Sequence, residues 1–461
     1  MRCVEPTGDV WRTLLVRRAG SELLLSTLNS AFVIPEVTIP SHQRVAPHLN
    51  REIKRRYGLE VVSLFPLETR STTGELPRHY HAAELVFPNC LTPKGTSWLP
   101  ASSLAEHLFH DPEDFHAARQ LMVSAQERQN VPRLSLARIG WFPKLLTWMQ
   151  KTIPSAGLEW TGKFYQANAS ASFSLIRFAT HPRGVWFKAV GEPNLREFSI
   201  TQVLGKILPG YLPTLIAIQP DCNGWLAFEA AGTNLANTSQ SSDWAAAARS
   251  MARLQLQSVG NTWQILDAGA RDLRVSSLMS LIEPCFEMLC RLMREQSKFP
   301  PPALSENVLH ALSLEIRHAL GEFQELGLPD TVGHLDCNPA NIIVSGGDCV
   351  FLDWAEAFVG PPVFTFAYLL EHLRTAFPND SNQIESLTAS FVEPWFPVLE
   401  PRKMSEALVL TPLLAAFAYL TASQSWLTES APLIPSARGL LRSLARRMKR
   451  ESDHLAEGKF R

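Results

Sequence analysis

His334-Leu335-Asp336-Cys337-Asn338-Pro339-Ala340-Asn341, followed after a glycine turn by Phe351-Leu352-Asp353-Trp354, sets four polar side chains around two short apolar runs. Ile342 to Val344 read as one strand, Ser345-Gly346-Gly347-Asp348 as a turn, and Cys349 to Leu352 as the returning strand. Such a hairpin returns Asp353 beside Asn341. Amide and carboxylate oxygens suit a hard divalent cation, so Asn341 and Asp353 are candidate Mg²⁺ ligands. Asp336 can orient an accepting hydroxyl, and His334 can fix the loop by hydrogen bonding. Together these are the parts that phosphoryl transfer requires. The plainer reading is a buried His and Asp in an ordinary hairpin. A lone His-x-Asp arises easily by chance, but four polar positions joined to two apolar strands do not. Glu356, just beyond, reads as a solvated loop carboxylate rather than a further ligand.

Phosphoryl transfer also requires a lysine to grip the nucleotide phosphates and a carboxylate to hold that lysine. Val185-Trp186-Phe187-Lys188-Ala189-Val190 is an apolar strand with one lysine, whose ammonium needs a partner there. Glu197 opens a helix whose apolar positions Ile200, Val203, Leu204, Ile207 and Leu208 stop at Pro209-Gly210. It is either the partner of Lys188 or one arm of a capping box with Asn194. The downstream motif favours the ion pair. Upstream, Gln166 to Ser172 is a run of small polar residues in which Ser170 and Ser172 are candidate phosphate contacts. It contains no glycine, and a plain surface hairpin is nearly as good a reading. Phe228, Glu229 and Ala230 fall where a backbone N–H and C=O would read the base of ATP or GTP.

The whole chain has 461 residues, enough for two or three domains, and a formal net charge of −1. That charge offers no pull toward nucleic acid or anionic membrane, and neither is expected as a partner. Seven scattered cysteines without a C-x-x-C pair indicate neither a disulfide framework nor zinc. No signal peptide is read at the start and no window is expected to span a bilayer, so a cytoplasmic location is the default. The oligomeric state is not readable.

From about residue 140 onward the chain resembles the aminoglycoside phosphotransferase and choline kinase-like family. That pattern reads approximately H-G-D-x-H-x-x-N, then a D-W or D-x-x segment. His334, Asp336, Asn341 and Asp353 match it in type and spacing; Lys188 and Glu197 fit the upstream pair. Leu335 stands in place of the glycine, Asn338 in place of the second histidine, and Thr365 where an aspartate often occurs. The resemblance implies a bilobal protein-kinase-like fold phosphorylating a small molecule, with ATP or GTP as donor and Mg²⁺ as cofactor. Its small β-rich N-lobe would cover about 140–232 and its large helical C-lobe about 233–461. A protein kinase would carry D-F-G and A-P-E segments. Here Asp353-Trp354-Ala355 has no A-P-E after it, which favours a small-molecule acceptor. A nucleotide-binding scaffold without catalysis is the alternative.

A second resemblance covers about 10–125. Phe32 to Pro35, then Arg51-Glu52-Ile53 and Gly58-Leu59, look like part of a Nudix box. Val37, Gln43, Arg55 and Arg56 replace its glycine, first glutamate and metal-binding pair, which argues against hydrolase activity. The expected fold class is therefore α+β, with an α/β/α Nudix-like domain over 1–130, the linker Asn130-Val131-Pro132-Arg133, and a kinase domain over 131–461. His79 and His81 read as two ordinary strand histidines. Arg438, Arg442, Arg446 and Arg450 read as the solvated face of a packed terminal helix. Glu371, Glu385, Trp395 and Trp426 follow no pattern that identifies an acceptor.

Overall fold

The computed structural model describes residues 8–17, 20–41, 43–67, 78–129, 136, 138–170, 172–297, 299–378, 380–422 and 435–459. It divides into two compact units, one of Met1–Phe198 with Leu215–Glu229, the other of Ser199–Thr214 with Ala230–Arg461. The expected linker and Trp426 lie outside the described residues.

The first unit holds two sheets. β1 (Gly8–Arg17), β2 (Glu22–Leu28), β3 (Ala31–Val33) and β4 (Glu36–Pro40) precede helix α1 (Val45–Tyr57). β5 (Val61–Leu67), β6 (His79–Leu85), β7 (Thr96–Pro100) and α2 (Pro112–Gln129) follow. The strands form one mixed sheet of order β3-β2-β1-β6-β5, with β4 added to β1 and β7 to β2. β1 and β6 are parallel; every other pair is antiparallel. α1 ends on Gly58 at φ 68°, a left-handed position that favours glycine. Arg55 turns back to Glu52 at 2.8 Å, so these helix charges neutralise one another at the surface. His81 is buried rather than at an edge, and desolvation depresses its ring to a pKa of about 3. His79 stacks on Trp11.

α3 (Trp141–Ser155) leads into the second sheet of this unit: β8 (Glu159–Ala169), β9 (Phe173–His181), β10 (Val185–Val190), β11 (Leu215–Gln219) and β12 (Gly224–Phe228). Its order is β11-β12-β10-β9-β8, all antiparallel. The two sheets are not separate globules. One hydrophobic core runs from Leu14, Val62 and Tyr80 of the first sheet through Phe142 of α3 to Ile176 and Phe187 of the second. The seam is closed by Gln166, which the sequence reading had placed at the edge of a phosphate loop. Its buried side-chain amide donates to Ser63 O at 2.9 Å and accepts from Ser63 N at 2.8 Å, acting as an added strand residue at the bulge of β5. Asn50 of α1 donates to the same Gln166 oxygen at 2.9 Å.

The second unit is mostly helical. The end of α4 (Arg196–Ile207) is followed by β13 (Thr233–Asn234), α5 (Ser241–Ser258), α6 (Thr262–Asp267), β14 (Arg271–Asp272), α7 (Val275–Arg294) and α8 (Glu306–Leu326). Next come β15 (Thr331–His334), the hairpin β16 (Ile342–Ser345) and β17 (Asp348–Phe351), and β18 (Ala357–Gly360). α9 (Val363–Ala376), α10 (Ser381–Val392), α11 (Pro401–Ala422) and α12 (Pro435–Lys459) complete it. One core joins these helices to the hairpin, from Leu204 through Ile342 and Phe351 to Phe417 and Met448. α11 is long and apolar enough to cross a membrane by length and composition, contrary to the sequence expectation, yet Met404, Ala407, Leu414 and Phe417 lie in this core.

The arginine stripe of α12 is not simply solvated. Arg442 donates to Leu292 O at 2.9 Å, so a cation meets the C-terminal carbonyls of α7. Arg446 reaches Pro302 O and Arg438 pairs with Glu295. Arg450 is exposed, as expected.

Replacing Gln166 by leucine strands the Ser63 N–H and C=O inside the seam. The expected cost is about 1–3 kcal/mol, read as a lower urea midpoint. An unchanged midpoint would show that the amide does not hold the sheets together.

Candidate functional site

β15 leads into the loop that carries Asp336. Gly333 pairs with Phe358 of β18, and a Cβ there would lie 2.0 Å from the Phe358 ring, so only glycine admits this approach. Val332 N donates to Ser258 Oγ at the end of α5, and His334 N donates to Thr365 Oγ1 of α9 at 2.9 Å. Thr365, one of the departures from the family pattern, thus supplies the acceptor that anchors the loop.

His334 is fully buried. Its Nε2 donates to Leu352 O at 2.9 Å, while Nδ1 accepts from Asp336 N at 3.1 Å. Desolvation lowers its pKa, so the ring is neutral and this tautomer is fixed. The ring thereby bridges the loop of Asp336 and the segment that carries Asp353.

Asp336 is half-buried, and its carboxylate is held from two sides. Asn338 Nδ2 donates to Oδ1 at 2.7 Å and Asn341 Nδ2 to Oδ2 at 3.1 Å. Asn338, standing where the family pattern has histidine, therefore positions the carboxylate. Asn341 Nδ2 also bonds Asp336 O at 3.0 Å, and Leu352 N donates to Asn341 O at 2.8 Å. The hairpin register, Ile342 opposite Phe351, puts Asn341 and Asp353 at the same end of the ladder. Asp353 is exposed and sits at φ 62°, a strained position for a non-glycine residue.

This donor set fits Mg²⁺. With its Nδ2 turned to Asp336, Asn341 keeps Oδ1 for a cation, and Asp353 adds a carboxylate. No group of three or more His, Cys, Asp or Glu side chains that could hold a metal occurs among the described residues. Two protein oxygens, completed by phosphate oxygens and water, suit Mg²⁺ rather than an all-protein cage.

In the first unit Lys188 Nζ lies 2.6 Å from Glu197 Oε1, with the glutamate side chain 2 % exposed. The rings of Phe173 and Trp225 flank the ammonium at 5.8 Å each. The ion pair is formed; the Glu197 N–H meanwhile donates to the backbone carbonyl of Asn194. At two other expected contacts, part of the groups is hydrogen-bonded within the fold. Ser170 Oγ accepts from the N–H groups of Ser172 and Phe173 at 3.1 and 3.0 Å, so these amides close the turn rather than face a ligand. At Phe228-Glu229-Ala230, Glu229 N donates to Gly184 O and Glu229 O accepts from Arg183 Nε, which engages the peptide groups of Glu229. Its carboxylate receives Arg177 Nε at 2.6 Å and Trp186 Nε1 at 3.1 Å, tying β12 to β9 and β10.

Arg271, Tyr368 and Tyr419, near Asp336, carried no sequence signal. A cavity of about 370 Å³ opens beside it, lined among others by Arg271, Glu356, Tyr368 and Tyr419. Glu356 is paired with Arg271 rather than solvated, and Arg271 NH1 also donates to Ala422 O. These residues lie far apart in sequence and only the fold assembles them. Of the residues without pattern, Trp395 is buried in the core, Glu385 is exposed and Glu371 pairs with Arg447.

Residues 240–394 match the model of the phosphotransferase enzyme family. That match covers β15, the loop of Asp336 and the hairpin that precedes Asp353. Similar solved structures include a macrolide 2'-phosphotransferase from Brachybacterium faecium, 15% identical at a TM-score of 0.42 over 66% of this chain and 97% of that one. A choline/ethanolamine kinase family protein from Mesorhizobium loti is 15% identical at a TM-score of 0.43, over 68% and 98%. Choline kinase from Cryptosporidium parvum is 11% identical at a TM-score of 0.46, over 69% and 97%. A comparison with curated proteins gives no match.

Lys188→Met removes the cation beside the buried Glu197 carboxylate, a loss expected at up to about 3–5 kcal/mol. The double change Lys188→Met with Glu197→Leu should recover most of that stability in a urea titration without restoring nucleotide affinity. A stable single variant would contradict the burial argument.

Proposed function

We propose that the protein moves the γ-phosphate of ATP or GTP to a hydroxyl or amine of a small molecule in a Mg²⁺-dependent reaction. The observation that carries this reading is the hydrogen-bonded set of Asp336, Asn341 and the His334–Leu352 clamp inside the segment matching the phosphotransferase family. Asp336, held by two amides, receives the hydrogen bond of the acceptor hydroxyl and aims its oxygen at the γ-phosphorus. The new bond joins that oxygen to phosphorus, the bond to the β-phosphate oxygen breaks, and the hydroxyl proton leaves by way of Asp336. Asn341 and Asp353 would hold the Mg²⁺, which neutralises charge on the phosphates. Lys188, kept in place by Glu197, binds the α- and β-phosphates. Positioning and charge neutralisation supply most of the rate.

The block over 1–130 is read as a Nudix-derived module without hydrolase activity, since Arg55 and Arg56 stand where metal-binding carboxylates would be. The kinase domain then runs over 131–461.

A second reading, a nucleotide-binding scaffold, draws on the Ser170 turn and the engaged Glu229 peptide groups. Asp336→Asn separates the two. A working enzyme should lose about 10²–10⁴-fold in kcat while titration calorimetry still shows Mg-ATP or Mg-GTP binding. Asp353→Asn should lose the Mg²⁺-dependent part of that binding. Unaltered turnover in Asp336→Asn would overturn the phosphotransferase reading; binding without turnover in the unaltered protein would favour the scaffold.

A further inference from the structure

The cavity beside Asp336 has a chemistry that narrows the acceptor, provided the phosphotransferase reading above holds. One wall is apolar. Leu335 is 5 % exposed and lines the cavity at the position where the family pattern has glycine, so a branched side chain occupies what would otherwise be polar backbone. Leu440, Leu441 and Leu444 of α12 add to the apolar wall. Tyr368 and Tyr419 supply an aromatic wall, their rings stacked at 6.0 Å and 23°. Burial pushes Tyr368 to a pKa of about 12 and Tyr419 upward, so both hydroxyls stay protonated and neutral.

Charge is sparse and mostly cancelled. Arg271 directs Nε and NH2 to Glu356 Oε2, at 3.1 Å for Nε, and NH1 to Ala422 O. The guanidinium is therefore committed to fixing Glu356, and the pair has no net charge. Glu356 keeps Oε1 to accept one hydrogen bond. Asp336 is the remaining carboxylate among the described lining residues. A ligand with several ammonium groups would bury more positive charge here than the one unpaired lining carboxylate, Asp336, can compensate. An apolar body with one or two hydroxyls loses nothing polar and covers the leucines and tyrosines.

We propose that this cavity binds the phosphate acceptor, and that the acceptor is a small neutral alcohol on an apolar ring or chain. Its reacting hydroxyl meets Asp336, its body lies against Leu335 and the α12 leucines, and a second donor is read by Glu356. Leu440 sets specificity without touching the reacting atoms. It is 52 % exposed, so Leu440→Glu changes the wall without emptying the core.

The test splits a metabolite extract of the cells that carry the protein into a neutral fraction retained on a hydrophobic column and a cationic fraction retained on a cation exchanger. Each is incubated with the full chain, Mg²⁺ and γ-labelled ATP or GTP. The expected result is labelled product from the neutral fraction, with Leu440→Glu raising KM for it about tenfold and leaving kcat within about twofold. Label transferred only to the cationic fraction, or a lower KM in Leu440→Glu, overturns the acceptor class and leaves the phosphotransferase intact. A protein that binds Mg-nucleotide yet labels neither fraction overturns both.

Discussion

Every group assigned to chemistry in the second unit hangs from one neutral imidazole. His334 is fully buried, so each ring nitrogen needs a protein partner, and the two it finds lie on different segments. Nδ1 accepts from the peptide that carries Asp336; Nε2 donates to the carbonyl just before Asp353. A protonated ring would lose the first bond, which is why desolvation matters here. Gly333 and Thr365 then hold the imidazole itself, the one by admitting Phe358, the other by accepting the His334 N–H. Trp354 closes the arrangement with its ring 4.8 Å from the imidazole. The segments that carry Asp336 and Asp353, the carboxylates proposed for catalysis and metal binding, are thus tied together through one buried side chain.

The first unit follows a different logic. Its two sheets come from segments that look like separate modules in sequence, yet Gln166 hydrogen-bonds across the seam as a strand would, and a shared core lies beneath. The strand that bears Lys188 is therefore braced on one side by β9 and on the other by β12, with Arg177 and Glu229 linking all three. A rigid strand matters because the Lys188–Glu197 pair is largely dry. Losing alignment there would expose the cost of burying each charge alone.

The hairpin, the lysine strand and the helix of Glu197 were legible because each rests on local patterning, apolar alternation or a helical stripe beside a polar residue of defined role. What sequence could not give depends on contacts between distant residues. Gln166 and Ser63 are 103 positions apart and Arg271 and Glu356 85, and no spacing rule joins either pair. Ser170 and Glu229 were read by place in a pattern, while their actual partners are backbone groups chosen by the fold. Arg442 and Arg446 look like any exposed helical stripe until the end of α7 is seen beside them. The histidine pair at 79 and 81 shows the same limit, since alternation along a strand does not say which face is covered.

The central claim is that Asn341 and Asp353 offer their oxygens to one cation while Asp336 stands ready for the acceptor. A crystal structure with Mg²⁺ and a non-hydrolysable ATP or GTP analogue tests it most directly. The account predicts an ion bound by Asn341 Oδ1 and the Asp353 carboxylate as well as by phosphate oxygens, with the Asp336 carboxylate facing the γ-phosphorus. An ion held by other side chains, or a γ-phosphate turned away from Asp336, would contradict it.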